Sequence, residues 1–296
     1  MDKKNKFITH SGSFHADDVF ACATLMILLD KRGEGYEVTR TREPEIIAAG
    51  DFVFDVGGIH DESINRFDHH QPGGAGKRDN GIEYASFGLV WKKYGTEVAG
   101  SHEAAKKIDQ KLAQVIDAGD NGISISKNLF EDASPYEFHN IIHAFLPTWR
   151  EDTDKDALFL ELVTFGKKIL EREIVKAKSA EDDRKKVLEA YDAAEDKRII
   201  ILDERYSWGD TLSEFPEPLF VIQPREDGAW NIAAIRKEKD SFKNRKDLPA
   251  AWGGLTGSQL AQATGVSDAV FCHRALFLAG AKSREGALKM VQTVVE

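Results

Sequence analysis

Cysteine is nearly missing from this chain. Cys22 and Cys272 are the only two, they stand far apart, and no CxxC pair occurs. That excludes a disulfide framework and a thiolate zinc site, and it points to a reducing compartment. Positive charge is also short. Forty Lys and Arg against fifty Asp and Glu leave a formal net charge of -10, which argues against broad affinity for duplex nucleic acid. A local basic groove for a short anionic substrate remains compatible with that balance. The longest apolar run, VFACATLMILL from Val19 to Leu29, is about half of the roughly 20 residues a bilayer span needs, so it predicts a buried helix. The N-terminal MDKKNKFITH is basic but passes straight into a strand-like segment rather than a signal-peptide core. The expectation is a cytosolic protein with no membrane partner. Neither an internal repeat nor a low-complexity tract is visible.

What is there suits a globular chain of two domains: 296 residues, 42% hydrophobic and 30% charged. Strand signals at KFIT, YEVTRT, DFVFDV and RFDHH alternate with helical spacing around Asp17, Pro44–Ala49, Glu83–Tyr94 and Glu103–Ile116. That alternation predicts βαβ units and a mostly parallel sheet. From Asp154 to Asp196 the chain has no proline and a single glycine, Gly166. Leu158, Leu162, Phe165, Ile169 and Leu170 form an apolar stripe there, so a long helix or helix pair is expected. Strands return at RIIIL, LFVIQ and WNIAAI, and a helical tail follows from Arg284. The expected fold is α/β: a mostly parallel-sheet domain over 1–150, a helical linker over 151–197 and a smaller α/β domain over 198–296.

Four places in the first domain collect side chains that can ligate a metal. HSGSFHADD holds His10, His15, Asp17 and Asp18; FDVGG holds Asp55; RFDHHQ holds His69 and His70; IDAGDNG holds Asp117 and Asp120. His10, Asp55 and His69 each follow a strand and precede a turn. In an open parallel sheet the carboxyl ends of the strands line one crevice, so these groups are expected to converge. Carboxylates with imidazoles and no thiolate suit Mn²⁺ or Mg²⁺. More than four ligands implies two ions, a site able to generate a hydroxide and to steady charge on a phosphoryl group. Hydrolysis of a phosphoester or phosphoanhydride is the chemistry this suggests.

The same four motifs, in this order, resemble those of the DHH phosphoesterase superfamily, and most closely its melanocyte-proliferating-gene branch of metal-dependent, RNA-exonuclease-like hydrolases. THSGSFHADDVFA, DVGG, RFDHHQ, DNGI, ASFGLVWKKYG and LPTW carry the resemblance, with AAWGGLTGSQLAQATGVSDAVFCH and SREGALKM toward the C-terminus. It implies a DHH-type catalytic first domain whose metal ligands are His10, His15, Asp17, Asp55 as the bridge, His69 and Asp120. Asp18 is then the helix-opening residue, although it could replace Asp17. Between Asp117 and Asp120 the DNG turn favours Asp120 as the ligand, with Asp117 supporting it from behind. His70 would face the scissile phosphate and, with Asp120, serve catalysis; His273 and Arg274 would contact substrate across a domain cleft. The implied activity is 3′-5′ exonuclease action on single-stranded RNA or oligonucleotides, with Mn²⁺ or Mg²⁺ as a two-ion cofactor. A homodimer is compatible with the sequence. Two alternatives stand beside it: a pyrophosphatase or small-nucleotide phosphatase, and a phosphate-binding regulatory protein with little turnover.

Several other features read more blandly. His60-Asp61 follows a strand, not the helix an HD-type phosphohydrolase needs. PGGAGKR lacks the P-loop spacing and reads as a mobile loop beside the site. His139 and His143, four apart on a helix without an HExxH glutamate, read as helix surface or a domain contact. Trp149 and Trp208 read as core or interface ahead of base stacking, and RKEKDSFKNRKD (236–247) as a solvated loop ahead of a phosphate guide. Cys272 reads as core, since neighbours on a strand face opposite ways.

Overall fold

The structure is a computed structural model that describes residues 3–238 and 243–295. Part of the basic 236–247 segment, residues 239–242, lies outside the described residues. The chain divides into two compact units, 1–178 and 179–296.

In the first unit a five-stranded sheet has the order β2-β1-β3-β5-β4. Its strands are β1 (Asn5–Thr9), β2 (Tyr36–Arg40), β3 (Phe52–Phe54), β4 (His60–Asp61) and β5 (Arg66–Phe67). Only the β4–β5 pairing is antiparallel; β1 pairs in parallel with β2 and β3, and β3 with β5. This is the mostly parallel sheet the alternation predicts. Strand alternation splits the side chains between two faces. Phe7, Phe52, Phe54 and Phe67 join the main core, whereas Ile8, Val53 and Val56 meet Ile47 on the other side.

The apolar run becomes α1 (Ala16–Arg32), buried from Ala16 to Leu25 and closed by Gly33 in the left-handed region. Asp17 and Asp18 in its first turn sit where the helix dipole favours negative charge. The second helix, α2 (Pro44–Ala48), starts on proline. α3 (Ser86–Ala99) packs on α1 and begins three residues later than the spacing from Glu83 suggests. The segment expected to be helical from Glu103 is α4 (His102–Ile108), a wider-wound stretch Asp109–Ala113, and α5 (Gln114–Asp120), so Asp120 ends a helix rather than standing in a turn. A short helix, α6 (Phe138–Ala144), follows.

The charged segment is one continuous helix, α7 (Lys155–Ala193), and the division between the units falls inside it. Its buried stripe is Phe159, Leu162, Val163 and Leu170, while Phe165 is 44% exposed. Phe165 therefore leaves the expected stripe, because the stripe is centred on Gly166. A Cβ there would lie 3.5–3.7 Å from Val19 and Phe20, so the lone glycine marks the close approach of α7 to α1.

The second unit has its own sheet, ordered β6-β7-β8-β10-β9: β6 (Ile199–Ile201), β7 (Phe220–Pro224), β8 (Trp230–Ala234), β9 (Ala269–Cys272) and β10 (Leu278–Ala281). Between these strands lie α8 (Gly209–Ser213) and α9 (Gly257–Thr264), and α10 (Arg284–Val295) packs its Ala287, Met290 and Val291 into the core with Phe220 and Ile222. Cys272 is buried in that core, as its strand position implies. Among the described residues no helix is long and apolar enough to cross a membrane.

Candidate metal centre

Parallel strands put their carboxyl ends at one edge, and the polar residues just beyond those ends meet there. His10 follows β1, Asp55 follows β3, and His69 lies two residues past β5. Asp17 and Asp18 come from the first turn of α1 and Asp120 from the last residue of α5. Asp55 takes φ +55, a conformation an aspartate tolerates better than most residues and which turns the chain sharply into Gly57 and Gly58.

The contacts are close. His10 Nε2 lies 3.0 Å from Asp55 Oδ2 and 3.3 Å from Asp18 Oδ2. His69 Nε2 lies 3.2 Å from Asp120 Oδ2, 3.3 Å from Asp55 Oδ1 and 3.8 Å from Asp17 Oδ2. His15 Nδ1 is 3.8 Å from Asp120 Oδ1. Three sets of ligand atoms lie within 4.8 Å of one another: His10, His15 and Asp55; Asp55, His69 and His70; His15, Asp17 and Asp120. The structure thus brings together all six sequence-derived ligand candidates.

A cation fits this cluster for a specific reason. Asp17 Oδ1, Asp18 Oδ2, Asp55 Oδ2 and His69 Nε2 are buried polar atoms that make no well-formed hydrogen bond. They face only one another's imidazoles and carboxylates, an arrangement that calls for protons or a cation among them. His10 Nδ1 stands 3.2 Å from Ser11 O, which favours the tautomer with Nδ1 protonated and leaves the Nε2 lone pair facing two carboxylates. A proton or a metal must stand between them. The donor set, carboxylate and imidazole only, suits a hard or borderline divalent ion.

Protonation in the metal-free chain follows. Burial works against charge on His10, but the carboxylates of Asp18 and Asp55 outweigh it and push its pKa up to about 10. His69 is also raised, burial being outweighed by Asp55 and Asp120. Burial and then the Asp55 and Asp120 charges hold Asp17 well above the carboxylate range, and burial raises Asp18 as well. Asp55 is lowered, because His10 and His69 overcome its burial. A metal must displace these protons. We expect Mn²⁺ binding to release protons and to tighten by about tenfold per pH unit for each proton released, between about pH 6 and about pH 9. Calorimetry in buffers of different ionisation enthalpy measures it, and a pH-independent affinity would refute the ligand set.

Other residues shape the site, and Ser86 among them carries no signal in the sequence that would single it out. Asp68 is buried and takes hydrogen bonds from Gly58 N (2.5 Å), His69 N (2.8 Å) and His70 Nδ1 (2.8 Å). It ties the DVGG turn to the histidine pair and commits His70 Nδ1, leaving Nε2 as the free ring nitrogen on a side chain that is 60% exposed. Ser86, at the start of α3, donates from N to Asp17 Oδ2 and from Oγ to Asp55 Oδ1, both at 3.3 Å. Asp18 has two tasks, since its Oδ1 also accepts the His15 backbone N–H and caps α1. Asp117 lies apart from the ligand set: Arg78 Nη1 (2.7 Å) and Gly88 N (2.9 Å) bond to its carboxylate. Arg78 also pairs with Asp109, so the PGGAGKR run, expected to be a mobile loop, ends in a buried anchor.

His139 and His143 stand exposed on α6, the helix-surface position the sequence reading gave them. With His15, Gly119 and Asp120 they line an open pocket of about 460 Å³ beside the cluster. The other two sequence candidates, His273 and Arg274, lie in the second unit, on the turn between β9 and β10. There Leu276 takes φ +61 and His273 Nδ1 accepts the Ala275 N–H at 3.1 Å.

The model of the MYG1_exonuc family, described as an uncharacterised protein family (UPF0160), matches residues 6–295. The MYG1 protein of Schizosaccharomyces pombe is 29% identical, covering 100% of this chain and 99% of its own length. The protein named MYG1 exonuclease in Homo sapiens is 31% identical, over 97% of this chain and 85% of its own. A crystal structure of exonuclease RecJ bound to manganese aligns over 98% of this chain and 89% of its own, at 12% identity and a TM-score of 0.27, a likeness too slight to carry an argument.

Proposed function

The chain belongs to the MYG1_exonuc family, and from that membership and the carboxylate–imidazole cluster we propose a divalent-metal-dependent phosphoesterase of DHH type. Its substrate in this reading is short single-stranded RNA or another oligonucleotide, shortened from the 3′ end. The observation that carries the reading is the set of buried oxygens and imidazole nitrogen, without well-formed hydrogen bonds, at the carboxyl edge of the sheet. Relatives named exonuclease supply the reaction class.

We assign His10, His15, Asp17, Asp55, His69 and Asp120 to hold two Mn²⁺ or Mg²⁺ ions. Bound there, such a pair activates water and neutralises charge on the phosphate. The chain's own groups do the rest. Asp68 fixes His70 by its Nδ1, so the proton that His70 offers or takes sits at Nε2, toward the phosphate or the leaving oxygen. Asp55, held by Ser86 Oγ, stands between the His10 and His69 nitrogens and keeps the two halves of the cluster in register. On the second unit, His273, with Nδ1 committed to Ala275, keeps Nε2–H to donate.

The test is hydrolysis of a 5′-labelled short RNA with Mn²⁺, alongside EDTA and His69→Ala. A ladder of progressively shorter labelled products that both controls abolish is the expected result. Release of the labelled mononucleotide alone would reverse the polarity. Intact RNA with hydrolysis of pyrophosphate would replace the nuclease reading by a pyrophosphatase.

A further inference from the structure

Next to the metal cluster, and sharing His15 and Asp120 with it, lies the open pocket of about 460 Å³ lined by elements of the first unit only. Its lining includes the apolar Phe14, Ala16 and Ile116. It also includes His139, Asn140 and His143 of α6. His139 and His143 are one helical turn apart and share a face. His139 packs directly over α5, where a Cβ on Gly119 would come within 3.3 Å of its Nδ1. The glycine, one residue before Asp120, therefore lets the imidazole settle beside the ligand-bearing helix end. Asn140 has its amide oxygen held by the Glu137 N–H at 2.9 Å, so its amide nitrogen is the group left to donate.

We propose that this pocket receives the base of the nucleotide being removed. The inference rests on the nuclease reading and gives it a substrate subsite. Three features select a base over a second phosphate. No lysine or arginine lines the pocket, so away from the metal ligands His15 and Asp120 it offers no side-chain cation for a second phosphate. Two exposed imidazoles in a lining that also includes Phe14, Ala16 and Ile116 offer a planar ring a face to stack on, which is how bases are held without sequence readout. The volume falls in the range of small-ligand sites, roughly 300–1,000 Å³. Because Asp120 belongs to both pocket and cluster, a nucleotide whose base is seated here puts its own phosphate at the metal ligands.

The experiment compares binding of adenosine 5′-monophosphate and ribose 5-phosphate to the Mn²⁺-loaded full chain by calorimetry. Wild type, His139→Ala and His143→Ala are measured. The wild type is expected to bind the nucleotide about tenfold more tightly than the sugar phosphate, the margin that base stacking supplies. Each alanine variant is expected to lose most of that margin while keeping its affinity for ribose 5-phosphate, which also reports an intact fold and metal site. Equal affinities in the wild type, or a margin that survives both variants, would overturn the proposal. If RNA stays intact while the margin is present and lost in the variants, the nuclease reading falls and this subsite stands. If RNA is cleaved and the margin is absent, only the subsite falls.

Discussion

Asp55→Asn is expected to reduce Mn²⁺-dependent RNA hydrolysis by about a thousandfold or more while leaving the chain folded. The two oxygens of Asp55 face both halves of the cluster, Oδ2 toward His10 and Oδ1 toward His69. It belongs to two of the three ligand sets that converge there. Asparagine keeps the shape and tolerates φ +55, so backbone strain does not confound the result. It lacks the charge that, in the proposed two-ion site, would draw both cations. Stability of the metal-free protein should change little, because two effects oppose. His10 and His69 lose a carboxylate partner, and Asp17 and Asp18 lose the Asp55 charge that helps keep them protonated. Metal content by elemental analysis, read with thermal melting and the RNA assay, tests this. Wild-type turnover with undiminished metal content would remove Asp55 from the centre of the mechanism.

Arg78→Ala should act on stability first and on the site second. Arg78 and Asp117 form an ion pair that is almost wholly buried, at 2.7 Å, and Arg78 braces Asp109 as well. Removing one partner strands the other, at a cost of about 3–5 kcal/mol. In a domain of this size that lowers Tm by about 10 °C. Burial already lifts the Asp117 pKa to about 7 against the pull of Arg78. A folded pKa raised above the unfolded value gives stability that is fully present below the unfolded pKa and is lost as pH rises through the folded one. Without Arg78 the folded pKa rises further, so the deficit should be smaller near pH 5 than near pH 8. Asp117 and Asp120 share α5, and loosening the first should weaken metal binding by about 10- to 100-fold. Gly88→Ala reaches the same pair by another route, since its Cβ would sit 1.7 Å from Asp117 Oδ2. A melting temperature unchanged in Arg78→Ala at both pH values would show that the pair carries no such weight.

Most of the first sheet is legible in the chain because local patterns dictate it. KFIT, YEVTRT and DFVFDV are short apolar or alternating runs, and each becomes a strand. Two acids before an apolar run open α1 as the helix dipole requires. Where a boundary depends on a distant partner the local signal misleads. α3 begins at Ser86, not near Glu83, where its first residues bond to carboxylates from three other segments. Phe165 reads as part of a stripe by spacing alone, yet the contact of α7 with α1 is centred on Gly166 and turns Phe165 outward.

The candidate site divides in the same way. By itself the sequence determined that His10, Asp55 and His69 would share one edge. Residues just past the ends of parallel neighbouring strands have no other place to go. It could not determine that Asp68 grips His70, that Ser86 bridges Asp17 and Asp55, or that His139 and His143 line a pocket with Asp120. Those relations join segments separated by loops of no fixed geometry. Only packing α3, α5 and α6 onto α1 brings them within hydrogen-bond or van der Waals reach. A parallel sheet places its strand ends by backbone pairing, whereas the groups around them are placed by side-chain fit, which no local pattern encodes.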